Sequence, residues 1–317
     1  MPGEDSSFMW QDTIPQAENP HLVKPERGFV SSANQLPTDS TYPYYQGGSF
    51  DLYRGKVINR NLQKMSNISP QHMQKLQTDN YNLFAESIVP LLVRYVDEEE
   101  LDADELKYFN IVRRWNLRND ASEKGPVVFK LWFDSLQHNI WFDELANTDR
   151  PFALPDEATL VEALKKDSAF SYIDNINTPS VETLAMVATA SFKKAALKFE
   201  QLEKEGKPDW TRYKDSGIRH LLRLAPFSRF HLTTGGGEHI INATKQYHGP
   251  SWRMIVHLTD QTEAYGIYPG GQSGNPGSKY YDNFVGDWAA GKYNSLWIMQ
   301  SADINDKRVL CRMSFSK

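Results

Sequence analysis

Gly28-Phe29-Val30-Ser31-Ser32-Ala33-Asn34-Gln35-Leu36-Pro37 runs from an apolar start into small polar residues, then sets one amide side chain ahead of a turn that closes at Pro37. Gly28-Phe29-Val30 is the best strand seed in the first 60 residues, because aromatic and β-branched side chains fit a pleated, half-buried surface. Asn34, taken alone, reads as an Asx-turn residue before the proline. The surrounding residues, 1–60, are rich in Pro, Gly, Ser and Asn. Pro15, Pro20, Pro25, Pro37 and Pro43 leave no room for a long helix between them. Extended chain with turns is expected here, as an arm laid over a partner.

Beyond the arm the period changes. Ser69-Pro70 is an N-cap followed by a first-turn proline. Met73, Leu76, Phe84, Ile88, Leu91 and Tyr95 then recur at helical spacing in one helix that Pro90 should kink. A second helix is expected over 103–116, with Leu106, Phe109, Val112 and Trp115 on one face. A third follows Gly125-Pro126, with Val128, Trp132, Leu136 and Ile140 spaced by four, and a short one starts near Asp156. The longest begins at Thr178-Pro179 and ends before Gly206, with Leu184, Val187, Phe192 and Leu197 in an Ala-rich helix suited to close packing.

Residues 226–317 change again. Phe230-His231-Leu232, His239-Ile240-Ile241 and the run from Arg253 to Leu258 read as short strands of an antiparallel meander, separated by the glycines at 235–237 and at 270, 271, 274 and 277. Tyr280 to Ala290 reads as a last short helix and Val309 to Phe315 as a final strand. The order arm (1–60), helical block (61–225), strand block (226–317) gives an α+β fold, with the arm and the C-terminal strands in one antiparallel layer and the helices outside it.

Composition narrows the function classes. The chain has 317 residues, 40% of them apolar and 24% charged, which is a globular balance. A net charge of −5 gives no reason to expect nucleic acid, which needs clustered Lys and Arg. No apolar run is long enough to cross a membrane as a helix. A single cysteine, Cys311, leaves no internal disulfide and fits a reducing compartment or a cysteine-poor exported protein equally. The 8 Trp read first as packing residues.

Isolated motifs are weak. Ser273 lies in Gly271-Gln272-Ser273-Gly274-Asn275, which lacks the fifth-position glycine of a nucleophile elbow, so a glycine-rich turn is the better reading. Gly235-Gly236-Gly237 opens no helix and reads as a hairpin turn, not a phosphate cradle. The acidic run of Asp97, Glu98, Glu99, Glu100, Asp102, Asp104 and Glu105 lacks the glycine of a calcium loop. It reads as a helix-linking segment, Asp104 and Glu105 favouring the N-terminus of the next helix. The 8 histidines form no close ligand pair. His248, beside Gly249-Pro250, is a candidate for lining a site, whereas His231 and His257 sit in strand patterns. Arg54 and Arg253, by their neighbourhoods alone, are surface ion-pair residues.

Three neighbourhoods in order carry more than any of them alone. Trp10…Ile14-Pro15…Pro25…Gly28 to Asn34 comes first. Tyr42-Pro43, Arg54 and Ile58-Asn59-Arg60 follow. Gly235-Gly236…Ile241-Asn242-Ala243…Gly249-Pro250-Ser251-Trp252-Arg253-Met254 and Pro269-Gly270-Gly271-Gln272-Ser273-Gly274, with Ser278, Tyr280, Asp282, Trp288 and Gly291, close the set. The ordered set resembles the penicillin acylase (penicillin amidase) family of N-terminal nucleophile hydrolases, in the C-terminal portion of their second chain; the helical middle resembles them only loosely.

The resemblance implies an αββα sandwich. It also implies a precursor cut into two chains, and hydrolysis of a linear amide of penicillin or N-acyl type by an N-terminal serine. That serine is expected upstream of this chain, since neither Ser6 nor Ser7 stands in its context, so the chain alone should be inactive. Asn34 would then be an oxyanion donor and Arg54 its orienting partner, also keeping the nearby α-amino group's pKa low by like charge. No cofactor is expected in this chain; calcium, where the complete enzyme binds it, would be held by upstream residues. The expected partners are the upstream part of the same precursor and a small N-acyl amide, with no nucleic acid and no membrane. The location implied is periplasmic or extracellular. The alternative is a non-catalytic binding or assembly module on an acylase-like scaffold.

Overall fold

The computed structural model describes residues 3–9, 12–48, 50–145 and 154–316; Trp10 of the first neighbourhood lies outside them. The chain divides into two compact units, Met1–Met65 and Ser66–Lys317.

The first unit is an irregular arm closed by one helix, α1 (Arg54–Lys64), which buries Tyr53, Val57 and Leu62. The reading of 1–60 as extended chain without helix is corrected here. From Pro43 to Pro70 no proline interrupts the backbone, and Asp51 satisfies the helix start by accepting from the N–H groups of Tyr53 and Arg54 at 2.8 and 3.0 Å. The strand expected at Gly28-Phe29-Val30 does not form, and the arm gives no strand to a sheet among the described residues. Val30 is exposed, and the carbonyls of Phe29 and Ser31 are taken by the side chains of Arg27 and Gln35, not by a ladder.

The second unit holds α2 (Pro70–Gln77), α3 (Leu83–Tyr95), α4 (Ala103–Arg113), α5 (Gly125–Leu145), α6 (Glu157–Lys166), α7 (Leu184–Lys204), α8 (Trp210–Lys214) and α9 (Val285–Ala289). The helix expected from Ser69 to Tyr95 is two. Asn82 caps α3 by accepting from Ala85 N at 2.9 Å, and its own N–H goes to Leu117 O, so the chain is drawn out of helix between Gln77 and Leu83. Asp102 and Glu105 form a capping box on α4, Asp156 caps α6 and Thr183 caps α7. The helix expected to open at Thr178 starts at Leu184, six residues later, because Thr178 and Glu182 bond into a preceding turn, and at 21 residues it equals α5 rather than exceeding it.

α5 is buried almost all round, which marks it as the central helix. It packs along α7, where Ala188, Ala195 and Ala196 allow close approach, with α4 against both. Phe109, Trp132 and Phe192, one from each helix, meet edge to face with centroids 5.2–6.2 Å apart. Leu197, expected in this packing, is 70% exposed and lies off the seam.

Sheet structure comes from residues 216–296 among those described. β1 (Ser216–Ile218) pairs antiparallel with β2 (Arg229–Leu232), and β3 (Arg253–His257), β4 (Glu263–Ile267) and β5 (Asn294–Leu296) form an antiparallel meander. The chain is therefore a mixed helix-and-sheet protein, as expected, but the strands make two small sheets. His239-Ile240-Ile241 and 309–315 form no strand, and β4 and β5 were not foreseen.

The glycines at 235–237 are not a hairpin turn. Gly236 sits at φ 76°, and a Cβ there would stand 2.0 Å from Asn242 O. The loop is packed among asparagines: Gly236 N donates to Asn119 O and Gly237 N to Asn242 O. Lys214, buried, donates from Nζ to Gly235 O at 2.6 Å and Thr244 O at 2.9 Å. Burial pulls its ammonium down to about 7 despite these acceptors. The unfolded chain then holds this proton up to about pH 10.4 while the folded one sheds it near 7. Folding stability from this group is lowest below pH 7 and rises as pH climbs towards 10. Lys214→Met should flatten that rise, as measured by urea midpoints between pH 7 and 10.

Candidate functional site

Asn34 and Arg54 are brought together inside the first unit. Asn34 lies on the exposed loop after Ala33 with a left-handed backbone, φ 60°. Arg54 opens α1. Its Nη2 donates to Asn34 Oδ1 at 2.9 Å. A guanidinium carries only donors, so it fixes which end of the amide faces it and turns the Asn34 NH2 the other way. That NH2 has no hydrogen-bond partner among the described residues.

Three further residues, for which the sequence suggested no role of their own, hold this arrangement. Asp51 accepts Arg54 Nε on Oδ2 at 2.8 Å, accepts the Tyr53 and Arg54 amides on Oδ1, and donates its own N–H to Asn34 O at 2.9 Å. Gln35 folds its amide back over the loop, donating to Ser31 O at 3.0 Å and accepting from Ala33 N. It lies flat on the first turn of α1 because position 55 is glycine; a Cβ there would come within 2.9 Å of Gln35 Oε1 and 3.3 Å of its Cβ. Asn59, one turn on, accepts from Ser31 Oγ at 2.8 Å and from Arg27 Nη1 at 3.2 Å. Ser31 to Asn34 of the first neighbourhood and Arg54 and Asn59 of the second thus form one bonded cluster. An aspartate three residues ahead of a helix-opening arginine was the readable signal for Asp51.

The third neighbourhood builds a buried knot in the second unit. Arg253 is 4% exposed, against its reading as a surface ion-pair residue, and donates to Trp288 O at 2.8 Å and Asn242 Oδ1 at 3.0 Å. Burial lowers the pKa of its guanidinium. Trp288 Nε1 donates to Pro250 O, and Gly249 makes room for the indole. Ser273 shapes a turn, its Oγ accepting from Asn275 N and its N–H going to Tyr280 O. His248 is exposed, His231 pairs with Asp215 at 2.7 Å and His257 faces Glu263 at 3.5 Å. In the acidic run Asp97 and Asp102 cap helix starts and Glu98 pairs with Arg113. Among the described residues no group of three His, Cys, Asp or Glu is placed to hold a metal ion, and no helix is long and apolar enough to cross a membrane.

Comparisons with known proteins return the same mixed helix-and-sheet scaffold. The structure matches a thermostable penicillin G acylase from Alcaligenes faecalis with a TM-score of 0.55 at 13% identity, over 92% of this chain and 57% of that one, a likeness of fold. Two curated proteins named acyl-homoserine lactone acylase QuiP, from Pseudomonas syringae pv. syringae and pv. tomato, are each 22% identical over 94% of this chain and 40% of their own length. The chain therefore spans about two fifths of the length of these relatives. The family model for penicillin amidase matches residues 1–304. The chain belongs to the penicillin amidase family.

Proposed function

We propose that this chain supplies the oxyanion-binding half of an amide-hydrolysing acylase site. The attacking serine is contributed by a preceding segment of the same precursor, at the N-terminus released by cleavage. The observation that carries the reading is the Asn34 amide, whose oxygen is held by Arg54 and whose NH2 is turned away and unbonded among the described residues.

In this reading the α-amino group of the serine, which titrates near ~7.7–8.0, takes the proton of its own hydroxyl. The hydroxyl attacks the amide carbonyl, the C–N bond breaks as the α-ammonium passes that proton to the leaving amine, and water then hydrolyses the acyl-enzyme. The tetrahedral intermediate carries a negative oxygen, and Asn34 Nδ2 donates to it. A neutral donor suits this task because it is set before charge develops and needs no proton transfer. The relatives' names, one for acyl-homoserine lactones and one for penicillin G, share an N-acyl amide, and that is the substrate class proposed. A periplasmic or extracellular location goes with the same reading.

The experiment is an assay of a chromogenic phenylacetyl amide and a long-chain acyl-homoserine lactone, with the chain alone and joined to the preceding segment its relatives carry. Turnover is expected only in the joined form. No turnover of either substrate by the joined form defeats the acylase reading. Turnover by the chain alone places the nucleophile within it.

A further inference from the structure

We infer that Asp51 is the positioning residue of this site, acting through Arg54. The inference rests on the acylase reading for its kinetic consequence and on the geometry alone for its structural one.

Among the described residues, Asp51 bonds to both members of the pair. Its backbone N–H donates to Asn34 O, fixing the loop that carries the amide. Its Oδ2 takes Arg54 Nε at 2.8 Å, while Arg54 Nη2 reaches Asn34 Oδ1 at 2.9 Å. Nε and Nη2 belong to one rigid plane, so gripping the first aims the second. Its Oδ1 holds the amides of Tyr53 and Arg54, fixing the helix end from which the arginine projects. The two side chains are mostly covered, with 24% and 14% exposed, so the pair is only partly screened by water.

The pairing changes what Arg54 does. A carboxylate bonded to the guanidinium offsets part of its charge at a neighbouring group. Like-charge repulsion on a neighbouring amine is thereby reduced, and the function of Arg54 is to hold the Asn34 oxygen so that the NH2 points at the developing anion. Arg27, the other cation of this cluster, is occupied with Phe29 O and Asn59 Oδ1.

Asp51→Asn separates grip from cap. The asparagine Oδ1 still accepts from Tyr53 and Arg54 N–H, so the helix start is kept. Its NH2 replaces Oδ2 and meets Arg54 Nε, donor against donor. In the joined, active form kcat should fall about tenfold, a fraction of the loss on removing an oxyanion donor, with KM within about twofold. In an Arg54→Leu background the same change should cost nothing further, since it acts through the missing guanidinium. A second readout needs no catalysis. In the 317-residue chain labelled with 15N-arginine, the Arg54 Nε–H signal, assigned by its loss in Arg54→Lys, should shift or broaden in Asp51→Asn. Unchanged kcat overturns the inference, and so does an equal loss in both backgrounds. Should the joined form hydrolyse nothing, the acylase reading fails by itself, and an unmoved Nε–H signal then overturns the positioning inference.

Discussion

Asn34→Ala in the joined, active enzyme should lower kcat by about a hundredfold or more while leaving KM nearly unchanged. The donor meets the substrate oxygen only when that oxygen becomes an anion, so its removal raises the transition state and spares ground-state binding. A hundredfold is about 2.7 kcal/mol, the lower end of what one oxyanion donor is worth. The change removes the donor together with Oδ1, the partner of Arg54 Nη2, while the bonds of Asp51 to Arg54 and of Gln35 to the loop backbone do not depend on the Asn34 side chain. Asn34 is exposed on its loop, so the fold should melt within a few degrees of the parent. A wild-type kcat from this variant removes Asn34 from the mechanism.

The largest effect on stability is expected at Trp132. Its side chain is completely buried between Phe109 and Phe192, and its indole N–H donates to Ala188 O at 3.0 Å. Truncation to alanine opens a cavity where α4, α5 and α7 meet, and neighbours set edge to face around an indole cannot close over it. Trp132→Ala should therefore cost about 3–5 kcal/mol, a large fraction of the roughly 5–15 kcal/mol that holds most proteins folded. Leu197→Ala, on the same helix pair but exposed, should stay within about 0.5 kcal/mol. Urea midpoints of the second unit's transition measure both. A shift at Trp132 no larger than at Leu197 would mean that the aromatic junction is not the centre of the core.

The helical block was legible because its signals are local. The Ser69 cap, the helix start near Asp156 and the four-residue spacing of Val128, Trp132, Leu136 and Ile140 are each read from neighbouring residues. What was misread depends on distant partners. The arm looked like a strand at Val30, yet a strand exists only when another backbone pairs with it, and side chains of Arg27 and Gln35 took that role. Position 253 looked solvent-facing, yet its partners are a carbonyl 35 residues away and an amide 11 residues away. The Gly235-Gly236-Gly237 run looked like a turn because asparagines at 119 and 242 cannot be placed beside it from order alone. For the site, Asn34 and Arg54 were found through the ordered motifs; Asn59 stood in the second motif without a role, Asp51 was readable only as a carboxylate ahead of a helix start, and what these two and Gln35 hold emerges from the bonds they make.

The left-handed backbone at position 34 restricts any redesign of this site. Of the twenty side chains, glycine, asparagine and aspartate adopt that conformation with little strain. Glycine offers nothing to a charged oxygen, and aspartate repels it. A saturation library at this codon would thus return the parent residue almost alone, and new specificity has to be sought in the walls around the amide.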